Sequence, residues 1–151
     1  MQLSQKGIDL IKQFEGFSPQ PYLCPAGKMT IGYGHVIRVG EDFPAGGIDV
    51  VGAETLLKQD VNRVGDAVSG MVKVGLLQNQ FDDICSLAYN IGCKAFEKST
   101  LLRYLNAGKP NLAAGEFMRW VYAGGVIQSG LARRRIAEKS MFSAGNYELL
   151  Q

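Results

Sequence analysis

An α+β fold dominated by helices, with its strands gathered near the N-terminus, is what this sequence predicts, and three observations predict it. Apolar residues recur at three- and four-residue intervals through most of the chain after Asp49. Between Gly16 and His35 that period gives way to prolines, glycines and a short alternating run. The 151 residues, 46% of them hydrophobic, suffice for one globular unit that buries about two-thirds of its unfolded surface. No repeat or low-complexity tract divides them, so residues 1–151 are expected to form a single domain.

The first helix is argued from Ile8, Ile11 and Phe14, with Ser4 as N-cap and Gly16 as its stop. Pro19, Pro21 and Pro25 then favour an extended path, and Met29, Ile31 and Tyr33 alternate with Thr30, Gly32 and Gly34. A hairpin follows from these two runs. For Cys24 and Thr30 to face one side as a cross-strand pair, its loop is the five residues Pro25 to Met29. Gly32 and Gly34 leave that face without bulk, as a closely approaching ligand requires and as a twisted strand also would.

Residues 36–48, with Gly40, Pro44, Gly46 and Gly47, read as the end of the sheet and a loop. Asp49 caps a helix to about Val68 through Leu57, Val61 and Val64, supported by an i,i+4 pair between Glu54 and Lys58. A further helix runs from Leu77 to Ile91, stopped by Gly92. Ser99 or Thr100 opens one through Leu105. Pro110 starts another that carries Phe117, Trp120 and Val121 and ends at Gly124-Gly125, and the last spans about Gly130 to Phe142.

Three different polar functions fall within sixteen residues of the region around the hairpin: the carboxylate of Glu15, the thiol of Cys24 and the hydroxyl of Thr30. Glu15 closes its helix. A carboxylate there meets the negative end of the helix macrodipole, and Phe14 and Phe17 can desolvate it; both effects favour the protonated form that a general acid needs.

The spacing Glu15, eight residues, Cys24, five residues, Thr30, then IGYGH, resembles the active-site signature of the phage-type lysozymes or endolysins of glycoside hydrolase family 24, which include T-even phage lysozyme and carry Asp or Cys at the middle position. AYNIG at 88–92, AFEKSTLLRYLNAG at 95–108, EFMRWVYAGG at 116–125 and GLARRRIAE at 130–138 are similar to the family pattern as well. The resemblance implies a lysozyme-like fold: a small sheet lobe at about 15–50, joined by a long helix at about 50–68 to a larger helical lobe at about 77–151 that includes the N-terminal helix.

It also implies an activity, hydrolysis of the β-1,4 bond between N-acetylmuramic acid and N-acetylglucosamine in peptidoglycan with inversion, by which the host cell is lysed at the end of phage infection. Glu15 would protonate the leaving oxygen while Cys24 and Thr30 hold the attacking water on the opposite face of the sugar. Val36, Tyr89, Asn90 and Ser99 are the implied substrate contacts, and Arg133 or Arg134 the implied partner of Glu15. No metal or organic cofactor is required. A free thiol is only a few per cent thiolate at neutral pH, so Cys24 makes a poorer standing base than a carboxylate unless its site lowers its pKa.

Charge and cysteines bound the setting. Residues 94–139 hold nine Lys and Arg against three Glu, which suits an anionic wall polymer; nucleic acid would suit too, yet aromatic residues are not interleaved with those charges. With no transmembrane-length stretch and no secretory signal in MQLSQKGIDLIKQ, the expected product is a monomer without stable membrane insertion. It would be made in the host cytoplasm and act in the periplasm with the help of a separate holin-like permeabilising protein. Cys24, Cys85 and Cys93 read as reduced thiols; Cys85 and Cys93, if on one helix, stand about 12 Å apart. The rival chemistries are a thiol-dependent wall amidase or peptidase using Cys24 and His35, and a lytic transglycosylase. His35 is the only histidine, and the resemblance makes it structural, its ring bonded to an acid of the small lobe.

Overall fold

The structure is a computed structural model that describes residues 1–148, with side-chain surroundings given through residue 144; the last residues of the expected helical lobe lie outside the described ones. Helix α1, Gln5–Glu15, begins where Ser4 accepts a hydrogen bond from the Gly7 N–H and ends where Gly16 turns to φ 68°. It lies against α3, Gln78–Ile91: the Ser4 N–H donates to Asp82 Oδ1 at 2.9 Å, and a Cβ on Gly7 would come within 2.9 Å of that same oxygen.

A three-stranded antiparallel sheet follows, β1 Ser18–Leu23, β2 Met29–Gly32 and β3 His35–Val36. Two expectations change here. Tyr22, not Cys24, stands opposite Thr30, and Leu23 opposite Met29. The Cys24 N–H bonds to the Lys28 carbonyl and the Gly27 N–H to the Cys24 carbonyl, so the connection closes on three residues, Pro25 to Gly27, with Gly27 at φ 77°. A turn with glycine in the left-handed region shortens the loop in this way. Cys24 still shares a face with Thr30, as its diagonal neighbour. Nor is 29–35 one extended segment: the chain reverses at Tyr33-Gly34, and His35 pairs back onto Ile31.

Helix α2, Val50–Met71, is capped by Asp49 and runs three residues past the expected end. Its 22 residues span roughly 33 Å at 1.5 Å each. That length lets one helix serve two cores. Ala53, Leu57 and Val61 pack with Ile11 and Tyr33, whereas Val68 joins the larger cluster of Phe81, Ile84, Leu87, Phe96, Leu101, Phe117 and Phe142. The expected Glu54 pair with Lys58 gives way to a contact between helices, in which Lys12 Nζ of α1 donates to Glu54 at 2.5 Å.

The helical lobe continues with α4 Cys93–Glu97, α5 Thr100–Asn106 and α6 Pro110–Glu116. Cys85 and Cys93 therefore sit on different helices, and all three cysteines are free. Ser99 caps α5 by accepting from the Leu102 N–H. The helix expected to reach Gly124 stops at Glu116. A 3-10 turn at Phe117–Arg119 leads into a second hairpin, β4 Tyr122–Ala123 and β5 Val126–Ile127, so the strands are not confined to the N-terminal end. Gly124 and Gly125, at φ 58° and 78°, are the two central residues of its turn, a geometry open to consecutive glycines and closed to most other pairs. Helix α7, Ser129–Glu148, then packs along α3.

Candidate active site

Glu15 lies at the end of α1, which α3 holds in the helical lobe, and faces the sheet. Its Oε1 accepts from Arg134 Nη1 at 2.6 Å. Of the two candidate arginines, Arg134 is thus the partner, and Arg133 is exposed. Helical geometry separates them: Arg134 and Arg135 precede Glu138 by four and three positions and share its buried face. Arg134 donates through Nε to Glu138 Oε1 at 3.0 Å and through Nη2 to the Ser86 carbonyl at 3.1 Å, and its guanidinium lies 5.7 Å from the centre of the Phe14 ring. With three nitrogens engaged and 3% of its surface exposed, the fork has one orientation. Arg135 completes the knot with Glu138, Asn90 Oδ1 and the Trp120 carbonyl. Arg134 thus gives Glu15 a fixed cationic neighbour 119 positions away in sequence.

The other carboxylate oxygen lies against the turn between β2 and β3. A Cβ on Gly34 would fall 2.7 Å from Glu15 Oε2, so no residue larger than glycine fits beside it unless the acid moves. Both glycines expected to admit a ligand are closed by the protein itself, Gly34 by Glu15 and Gly32 by Ala53.

The sheet face made by Tyr22, Thr30 and Val36 in one row, with Cys24 diagonal to Thr30, meets Glu15 at Tyr22. Hydrogen bonding from the Lys28 backbone lowers the Cys24 pKa most; partial burial opposes it, and the Thr30 hydroxyl, the Ala26 backbone and the Lys28 charge lower it further. The Thr30 hydroxyl, nearly buried, has one proton to give, and the Lys28 carbonyl lies 3.0 Å from it. Burial raises the Tyr22 pKa first, then the negative charge of Glu15 and that of Cys24, so this phenol senses both sides of the site. An open depression of about 300 Å³ is lined by Glu15, Gly16, Phe17, Ser18 and Tyr22.

The remaining expected contacts are dispersed. Val36 is exposed beside Thr30; Tyr89 donates its hydroxyl to the Tyr33 carbonyl at 2.7 Å; Asn90 is bound to Arg135; and Ser99 is engaged as a helix cap. His35 is removed from Cys24 by the pleat, because it pairs with Ile31 on the opposite face. Its Nδ1 lies 2.6 Å from Asp60 and its Nε2 2.9 Å from Glu41, both ring nitrogens are spent, and Asp60 above all raises its pKa against the effect of burial. A Cys24-His35 nucleophile pair is not assembled.

A helix-ending glutamate gripped by a buried arginine, facing a hydroxyl and a thiol on a small sheet, marks a lysozyme-like protein. A family model described as phage lysozyme matches residues 12–138, and the chain belongs to that family. It is 47% identical over 148 residues to the endolysin of Bacillus phage PZA, covering 96% of this chain and 56% of that protein. To the endolysin of Salmonella phage P22 it is 41% identical over 144 residues, covering 94% and 98%. The chain spans little more than half the length of its Bacillus phage relatives. Among solved structures it resembles a P22 lysozyme mutant, with TM-score 0.82, 39% identity and coverage of 95% and 99%. It also resembles the muramidase domain of SpmX from Asticaccaulis excentricus, with TM-score 0.83, 36% identity and coverage of 93% and 97%.

Proposed function

We propose that this chain is a phage endolysin that hydrolyses the β-1,4 bond between N-acetylmuramic acid and N-acetylglucosamine in peptidoglycan, with inversion. The observation that carries the reading is the Glu15–Arg134 pair beside an open depression that it shares with Tyr22, the cross-strand neighbour of Thr30. Glu15 protonates the leaving oxygen. As the proton departs, Arg134, already in place at 2.6 Å, stabilises the carboxylate left behind without reorganising. Cys24, its thiolate favoured chiefly by the Lys28 backbone, holds and deprotonates a water on the other face of the sugar. Exposed Lys94, Lys98, Arg103, Lys109, Arg119, Arg133 and Lys139 give the helical lobe a surface that suits an anionic wall.

No helix among the described residues is long and apolar enough to cross a membrane. We propose synthesis of a monomeric enzyme in the host cytoplasm and its action in the periplasm, with a separate holin-like protein opening the way. The test is Glu15→Gln, assayed on outer-membrane-permeabilised Gram-negative cells and by product analysis. Folding should be retained and lysis should fall at least about a hundredfold, the range that general acid catalysis supplies. Retention of more than about a tenth of the wild-type rate would overturn the assignment. Wild-type products should carry reducing-end sugars; 1,6-anhydro ends would mean a transglycosylase instead.

A further inference from the structure

Tyr89 stands at a junction that the proposed reaction does not use. Its ring packs, partly buried, beside the cluster of Ile11, Tyr33, Ala53, Leu57 and Val61, and its hydroxyl reaches from α3 to the Tyr33 carbonyl, 56 positions away in sequence, at 2.7 Å. Tyr33 begins the two-residue turn between β2 and β3. The ring of that tyrosine lies between Phe17, centred 5.6 Å from it just beyond the end of α1, and Lys12 of α1, whose Nζ is 5.1 Å over its face. The next residue, Gly34, is the one that leaves only the space of a missing Cβ beside Glu15 Oε2. One short turn is thus tied to α3 by Tyr89 at one residue and forms the seat of the acid at the next. Arg134 holds one carboxylate oxygen and this turn bounds the other.

We infer that Tyr89 is a positioning residue for Glu15, acting through the Tyr33 carbonyl and the Gly34 backbone, and not a contact for the glycan; the inference rests on the proposed role of Glu15. The hydroxyl is already committed to the protein, so a sugar would have to displace a well-formed hydrogen bond to use it. Without that hydroxyl, the Tyr33 carbonyl loses its partner on α3 and the turn can drift from the acid. Drift matters here because a displacement of about 1 Å at a catalytic group can cost up to a hundredfold in rate.

Tyr89→Phe removes one oxygen and keeps the ring, so it tests the hydrogen bond with little risk to the core. On a short soluble peptidoglycan fragment, kcat should fall about tenfold and KM stay within about twofold, the signature of an interaction made in the transition state rather than in binding. Gly34→Ala, which intrudes on Glu15 from the other side of the turn, should lower kcat by about a hundredfold. An unchanged kcat in Tyr89→Phe would overturn the inference, and so would a raised KM at unchanged kcat, which would make Tyr89 a glycan contact. Glu15→Gln in the same assay separates the two failures: if it is inactive while Tyr89→Phe is fully active, only the positioning role fails, whereas an active Glu15→Gln removes the proposed function itself.

Discussion

Glu15 depends on Arg134, 119 positions further along the chain, while Cys24 and Thr30 depend on Lys28, Ala26 and each other, all within six positions. The acid is held by packing between α1, α3 and α7, in a buried knot where Glu138 pairs with two arginines at once. The water side is held by one three-residue loop on a largely exposed hairpin. A cleft whose walls have such different supports should respond to mutation in two different ways: removing the arginine that holds the acid should disturb the fold, and removing the thiol on the water side should not.

Arg134→Met should show the largest effect. It leaves Glu138 with a single buried arginine and Glu15 with none, and removing one partner of a buried ion pair costs about 3 to 5 kcal/mol. For a chain of this size the Tm should drop by roughly 10 °C, together with most of the activity. Arg134→Lys should rescue little of either, since one ammonium cannot donate to Glu15, Glu138 and Ser86 in a fixed plane. Calorimetry and a lytic assay on the same samples decide it; an unaltered Tm would remove the coupling between acid and fold.

On the water side, Cys24→Ala should lose roughly a hundredfold in rate while the stability changes only by the few tenths of a kcal/mol typical of surface changes. Cys24→Asp should stay active and keep its rate to lower pH than the wild type, because a carboxylate remains charged where a thiolate has been protonated. Cys24→Ser should be impaired, its hydroxyl able to hold water but unable to take its proton at neutral pH. Full activity in Cys24→Ala would leave Thr30 as the water-positioning group and end the comparison.

The smallest effect on activity, and the one that isolates stability, is expected of Asp83 on α3. Its carboxyl is fully buried without a hydrogen-bond partner among the described residues, and burial, then Glu138 and Asp82, push its pKa up to about 9. An unfolded aspartate titrates near pH 3.9, so between about 4 and 9 the folded chain binds the extra proton and stability falls as pH rises, by at most about 1.4 kcal/mol per unit. Asp83→Asn should therefore be the more stable protein at pH 8, with its advantage shrinking steadily toward about pH 4 and its activity unchanged. Parallel melting curves across that range test the sign.

Much of this molecule was determined by sequence that acts over short distances. Ser4, Gly16, Asp49, Gly92 and Ser99 mark helix ends through hydrogen bonds to residues three or four positions away, and the structure places them at those ends. Glu15 at the close of α1, and Cys24 on one face with Thr30, follow from the same local rules, so the motif was legible although the register was off by two residues, a shift that keeps the face. The hairpin at 122–127 was missed because Phe117, Trp120 and Val121 keep a helical period past the point where the helix stops; Gly124-Gly125 was the signal available, and it serves a hairpin turn as readily as a helix end. Asn90 and Ser99 belonged to the recognisable motif, yet the fold engages one with Arg135 and the other as a cap.

The choice of Arg134 over Arg133, the seat that Gly34 makes for Glu15, and the bond from Tyr89 to the Tyr33 carbonyl were decided only by the tertiary structure. Each joins residues between 19 and 119 positions apart. A hydrogen bond within one helical turn is set by backbone geometry that neighbouring residues already specify, whereas a contact across such separations exists only after loop closure has been offset by burial of two cores, and no local pattern records which side chains that burial brings together.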